Sequence, residues 1–231
     1  MNRIAIIPAR GGSKRIPQKN IKNFCGRPMI SYPIEALKKS NLFDKIHVST
    51  DDKKIKNVVT SLGLKIDFLR PKDLSNDFTP IMPVIKFVVE QYLQMNQTFE
   101  EIWIILPCSP FLSSSDLIEA SIIFNQNKFS NPLMAIAEYP VPIEWAFDIN
   151  ENGLLSPVKK GNFAIRSQDL KKKYHDAGMF YAYSKDIILN VDYNGSDQNF
   201  LPYLISKDKA IDIDDPEDWE YAEKLFKIRL I

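Results

Sequence analysis

Short apolar runs rich in isoleucine and valine recur along the chain at 4–7, 46–48, 66–69, 102–106 and 133–137. Between them lie amphipathic stretches at 29–39, 55–62, 81–95 and 117–125, each long enough for a helix. This alternation predicts βαβ units, and so an α/β fold whose mostly parallel, Rossmann-like sheet carries helices on both faces. Continuously apolar strands are buried on both faces, which puts the expected binding site in the loops beyond the strand C-termini. The pattern loosens after Tyr139, where YPVPIEW, an Asn152-Gly153 turn and the stretch 159–161 predict hairpins or an excursion from the sheet. Regular structure is expected to return at 179–184, and a last helix to start at Pro216, a residue suited to the first helical position.

A length of 231 residues suits one domain over 1–231, with 139–173 as its excursion. The formal net charge of +1 leaves no global field to attract a polyanion, which argues against nucleic acid as the main partner. Locally the charge is uneven: Arg10, Lys14, Arg15, Lys19 and Lys22 cluster, as a small and highly charged ligand such as a triphosphate requires. The two cysteines, Cys25 and Cys108, sit in no zinc or redox spacing and read as small apolar residues. No apolar stretch approaches the roughly 20 residues of a membrane span, and the N-terminus enters a strand at once. A soluble, cytoplasmic protein without a signal peptide is the expectation.

The strongest chemical signal is IPARGGSKRIPQKN at 7–20, directly after the first predicted strand. Gly11 and Gly12 lack Cβ atoms, so the backbone there is free to approach phosphate oxygens and offer its N–H groups. Arg10, Lys14 and Lys19 supply positive charge, and Ser13 and Asn20 neutral hydrogen bonds. The spacing is neither GxxxxGK[ST] nor GxGxxG, which disfavours a P-loop ATPase or a nicotinamide enzyme.

This run resembles the N-terminal signature of the nonulosonic acid cytidylyltransferases, a family that includes the CMP-sialic acid synthetases. The similarity continues in order through VSTDD (48–52), FLRPKDLSND (68–77), LPCSPFL (106–112), YHDAGMFY (174–181) and IDIDDPEDW (211–219). Six motifs in one order span nearly the whole chain. The resemblance implies transfer of CMP from CTP to the anomeric hydroxyl of a nonulosonic acid with release of pyrophosphate. It also implies that Arg70 and Asp77 flank the nucleotide, and that Arg10, Lys14 and Lys19 stabilise charge moving onto the leaving group. A homodimer is implied too, with Trp145, Phe147 and Phe163 available as anchors in the 139–173 segment.

In IDIDDPEDW the carboxylates of Asp212 and Asp214 alternate with Ile211 and Ile213, and an extended strand would put the two acids on one face. Paired carboxylates repel unless a cation lies between them, and hard oxygen ligands suit Mg²⁺. The family likeness implies that Asp212 and Asp214 hold the catalytic metal. Asp215 and Glu217 are expected to cap the last helix, and Asp52 fits an N-cap as well as it fits a ligand contact.

For the sugar, Arg166, Gln168, His175 and Asp176 offer a cation, an amide and hydrogen-bonding groups of differing acidity to a carboxylate and several hydroxyls. Here the chain departs from ordinary sialic acid synthetases, which show an Arg-Pro-Asn-Gly-like run where His175-Asp176-Ala177-Gly178 stands, and a glutamine in place of Leu106. The HDAG run resembles the pseudaminic acid branch. Rival readings are the same chemistry on sialic, legionaminic or 3-deoxy-manno-octulosonic acid, or a nucleotide-binding protein that has lost turnover.

Overall fold

The computed structural model describes residues 2–190 and 199–229. Its elements run β1 (Arg3–Pro8), β2 (Asn23–Phe24), β3 (Arg27–Pro28), α1 (Ser31–Ser40), β4 (Lys45–Ser49), α2 (Lys53–Ser61), α3 (Ile81–Gln94) and β5 (Glu101–Ile105). They continue with α4 (Ser114–Gln126), β6 (Leu133–Glu138), β7 (Phe147–Ile149), β8 (Leu155–Pro157), β9 (Tyr174–Ser184), α5 (Lys185–Asn190), β10 (Leu201–Leu204) and α6 (Pro216–Ile228). Among the described residues six strands form the main sheet in the order β10-β6-β9-β5-β1-β4. Only β9 runs against the others in it.

Alternation along β1 divides the core. Ile4 and Ile6 pack on α3 through Ile85, Val88 and Tyr92, while Ala5 and Ile7 pack with Ile34, Val59, Leu117 and Phe124 of α1, α2 and α4. All of these side chains are buried, as continuous apolar strands require. A third cluster joins Ile16, Phe24, Phe111, Ile213, Trp219 and Ala222, and so ties α6 to the loop after β1. Because β1, β4, β5, β6 and β10 are parallel, the loops that follow them emerge at one edge of the sheet, where the antiparallel β9 begins.

Three expectations need correction. The apolar run at 66–69 forms no strand: β4 is the sheet edge, and the segment packs across it by side chains, with Ile66 buried and Phe68 stacked on His47. Residues 211–214 make no ladder either, although the alternation survives, since Ile213 is buried and Asp212 is exposed. Regular structure returns at Tyr174, five residues before the expected 179. The pattern also gave no sign of β10, whose Pro202 is tolerated because the strand lies at a sheet edge.

His47 is fully buried, its Nδ1 3.0 Å from the Tyr92 hydroxyl, and its Nε2 has no hydrogen-bond partner among the described residues. Burial pulls the imidazole down to about 4. Below the ordinary value of about 6.5 the unfolded chain takes up a proton that the folded chain refuses until pH is near 4. Stability is therefore expected to fall by about 3 kcal/mol as pH drops through that window. Urea unfolding of the wild type and His47→Phe at pH 7 and pH 4.5 checks this: equal pH sensitivity in both would remove His47 as its source.

Candidate active site

The loop leaving β1 borders a cleft of about 270 Å³ lined by Pro8, Arg10, Ser13, Lys14, Arg15, Ile16, Lys19, Asn20, Pro107 and Asp214. Its two glycines serve different ends. A Cβ on Gly11 would stand 2.4 Å from Asp52 Oδ2, and Gly11 N–H donates to Asp51 Oδ1 at 3.1 Å, so Gly11 is demanded by the protein itself. Nothing lies within 4 Å of a Cβ on Gly12, which leaves its backbone open to approach. Asn20 is buried and donates to the Arg10 carbonyl at 3.0 Å, so it positions the loop. Burial pushes the neighbouring Cys108 thiol up to about 12, and it stays neutral.

Arg10 Nη1 and Lys14 Nζ each lie 2.5 Å from an Asp77 oxygen, and together they hold that carboxyl below its usual range. Asp77 thus serves as a counter-anion to two of the cleft's cations. Arg70 is buried and donates to Ser49 through Nε, at 3.2 Å to the hydroxyl, and Nη2, at 2.6 Å to the carbonyl. Burial draws its guanidinium down to about 10. Its bonds pin the segment leading to Asp77 onto the end of β4.

Asp214 closes the cleft from the far side in sequence. Lys19 Nζ donates to the Ile213 carbonyl at 2.6 Å and lies 3.4 Å from Asp214 Oδ1, while Arg15 Nη2 lies 3.0 Å from Oδ2. Asp215 N-caps α6, and Asp218 reciprocates by accepting from the backbone N–H groups of Asp214 and Asp215 at 2.9 and 3.1 Å. Ile213 anchors the run between the acids. Asp212 has no ion pair or hydrogen bond among the described residues, and partial desolvation together with the Asp214 charge raises its carboxyl.

A carboxyl raised by the charge of a neighbouring acid, as Asp212 is by Asp214, fits a bound cation. The described residues contain no group of three or more histidine, cysteine or acidic side chains arranged for a metal, so a hard cation on Asp212 and Asp214 would take its other oxygens from substrate and water.

The four expected sugar residues fall into two pairs. His175 and Asp176 lie at the start of β9, where Gly178 packs against Asp212. His175 Nδ1 donates to the Asp176 carbonyl at 2.8 Å, and its ring lies 4.9 Å from that of Tyr139. Gln168 lines a separate cleft of about 300 Å³ with Tyr139, Val141, Leu170 and Lys172. Arg166 is exposed and pairs with Asp169 at 2.8 Å.

With this geometry in view, comparison with known proteins is decisive. The pattern of a family described as cytidylyltransferase matches residues 4–230. The chain belongs to that family. This cytidylyltransferase is 37% identical to pseudaminic acid cytidylyltransferase of Campylobacter jejuni over 230 residues, covering 99% of this chain and 97% of the relative. It is 29% identical to the CMP-N,N'-diacetyllegionaminic acid synthase of Legionella pneumophila, over 99% and 97% of the two chains. Its fold matches that of a CMP:2-keto-3-deoxy-manno-octonic acid synthetase solved with CTP, with a TM-score of 0.75 at 16% identity over 99% and 100% of the two chains.

Three residues of the cytidylyltransferase site escaped sequence reasoning. Arg15 was legible only as part of the basic cluster, and its pairing with Asp214 comes from tertiary contact. Asp51 orients Gly11 across 40 residues. Tyr181 reaches Asp176 through a strand irregularity that no local pattern announces.

Proposed function

We propose that this cytidylyltransferase transfers CMP from CTP to the anomeric hydroxyl of pseudaminic acid, giving CMP-pseudaminic acid and pyrophosphate. The observation that carries this reading is the close approach of Gly178, the last residue of the HDAG run, to Asp212, supported by 37% identity to a relative named for that sugar. In the reaction the sugar hydroxyl attacks the α-phosphorus of CTP, the bond to the bridging oxygen breaks in line, and the proton leaves to solvent. Arg10, Lys14 and Lys19 bind the triphosphate and stabilise charge moving onto pyrophosphate, with Ser13 and the open backbone at Gly12 adding hydrogen bonds. Asp77 gives up its two cations when phosphate arrives.

Asp212 and Asp214 are the residues that would hold Mg²⁺, which when bound neutralises phosphate oxygens and favours ionisation of the attacking hydroxyl. His175 and Asp176 orient the sugar, whereas Arg166 and Gln168, set apart from them, are given no part in holding it. Pyrophosphate release from CTP in the presence of pseudaminic acid tests the proposal, and the reaction belongs in the cytoplasm with its nucleotide. Among the described residues no helix is long and apolar enough to cross a membrane.

The segment 139–173 is proposed as the contact surface of a homodimer. Phe163 packs on Trp145 and Phe147, yet Ile149, Leu154, Leu155 and Phe163 remain between 62% and 75% exposed. An apolar face of that kind favours a covering partner. Sedimentation velocity is expected to give a dimer at micromolar concentration. A clean monomer there would remove the basis for this interface.

A further inference from the structure

In a regular strand, side chains alternate, so residues five apart point to opposite faces. Asp176 and Tyr181 break that rule. Tyr181 pairs with Met134 of β6 and Asp176 with Ile136, so five steps along β9 span two on its neighbour. The surplus forms a bulge around Gly178, whose φ of +62° is a left-handed conformation that glycine adopts without strain. The bulge returns both side chains to one face, where the Tyr181 hydroxyl donates to Asp176 Oδ2. Gly178 N–H donates to the other oxygen at 2.9 Å. Across the same bulge, a Cβ on Gly178 would stand 3.6 Å from Asp212 Cγ.

We infer that Tyr181 is a positioning residue, which through the β9 bulge locks Asp176 beside Asp212 as a hydrogen-bond acceptor selecting sugar acids that offer a hydroxyl or amide N–H there. Each carboxylate oxygen is fixed by one donor and keeps lone pairs for a ligand. Burial, reinforced by the Asp176 charge, raises the phenol well above its ordinary range, so it remains a donor at any working pH. A carboxylate held this way repels a second carboxylate and leaves any donor-poor substituent without a partner. The inference rests on the proposed reading of the site as a sugar-acid pocket.

Steady-state kinetics of the full-length enzyme with CTP, Mg²⁺ and pseudaminic acid test it. Tyr181→Phe is expected to raise KM for the sugar about tenfold, as loss of a charge-assisted hydrogen bond would, while KM for CTP and kcat each change by less than about threefold. Asp176→Asn should show the same sugar-selective loss, and the double variant should be no worse than the weaker single one, since the two residues act as a unit. Melting temperatures show that each variant is folded; if the phenylalanine variant is not, the asparagine variant carries the same signature. An unchanged sugar KM, or losses that add in the double variant, would overturn the inference. Should the wild type turn over no nonulosonic acid at all, the sugar reading itself falls, which is a separate outcome.

Discussion

Asp212→Asn and Asp214→Asn are each expected to lower kcat by about two orders of magnitude or more while leaving the fold intact. Asparagine keeps the shape of the side chain and removes its charge, so what is lost is the hold on a cation, with little change in packing. The residue that packs is Ile213, fully buried between the two acids, and it is untouched. The two variants are not equivalent. Asp214 is paired with Lys19 and Arg15, so its loss also frees two cations of the triphosphate cleft, and KM for CTP should change along with kcat. Partial desolvation and the Asp214 charge raise the Asp212 carboxyl, so its ionised form is disfavoured in the folded protein. Neutralising it should leave the metal-free melting temperature unchanged or higher while turnover collapses, a separation that a folding defect cannot produce. Wild-type turnover in both variants at saturating Mg²⁺ would show that the acids hold no catalytic metal.

Pseudaminic acid is expected to be used with CTP at least about 100-fold more efficiently than N-acetylneuraminic acid, the lower end of what one or two unpaired polar contacts cost. Sialic acid synthetases are expected to present an arginine, a proline and an asparagine where this chain has His175, Asp176 and Ala177. The change removes a fixed cation and an amide, and it adds an acceptor whose two oxygens are both fixed. Leu106, where the resemblance gives a glutamine, donates its backbone N–H to the Met179 carbonyl at 2.8 Å and carries an apolar side chain. A sugar matched to the sialic acid synthetase set of groups would leave polar partners unpaired in this one. Pyrophosphate release across a panel of pseudaminic, legionaminic and N-acetylneuraminic acids measures the ratio. Efficient use of N-acetylneuraminic acid, with none of pseudaminic acid, would sink the sugar assignment and leave the cytidylyltransferase chemistry standing.

By itself the sequence determined the parts whose information is local. Apolar periodicity marked β1, β4, β5 and β6 and the helices α1 to α4 to within a few residues, because strands buried on both faces must be continuously apolar. The basic glycine loop and the alternating acids were legible for a similar reason: their chemistry is written in adjacent residue types. The tertiary structure decided what depends on contacts between distant segments. It gave Gly11 an internal cause in Asp52, turned Arg70 and Asn20 inward as supports, and set Asp77 on Arg10 and Lys14. It also gathered Asp176, Tyr181 and Asp212 around one bulge. That last grouping had no sequence signal, because alternation in a regular strand would have sent Asp176 and Tyr181 to opposite faces. Only the pairing of β9 with β6, which absorbs its surplus residues at Gly178, puts them on the same one.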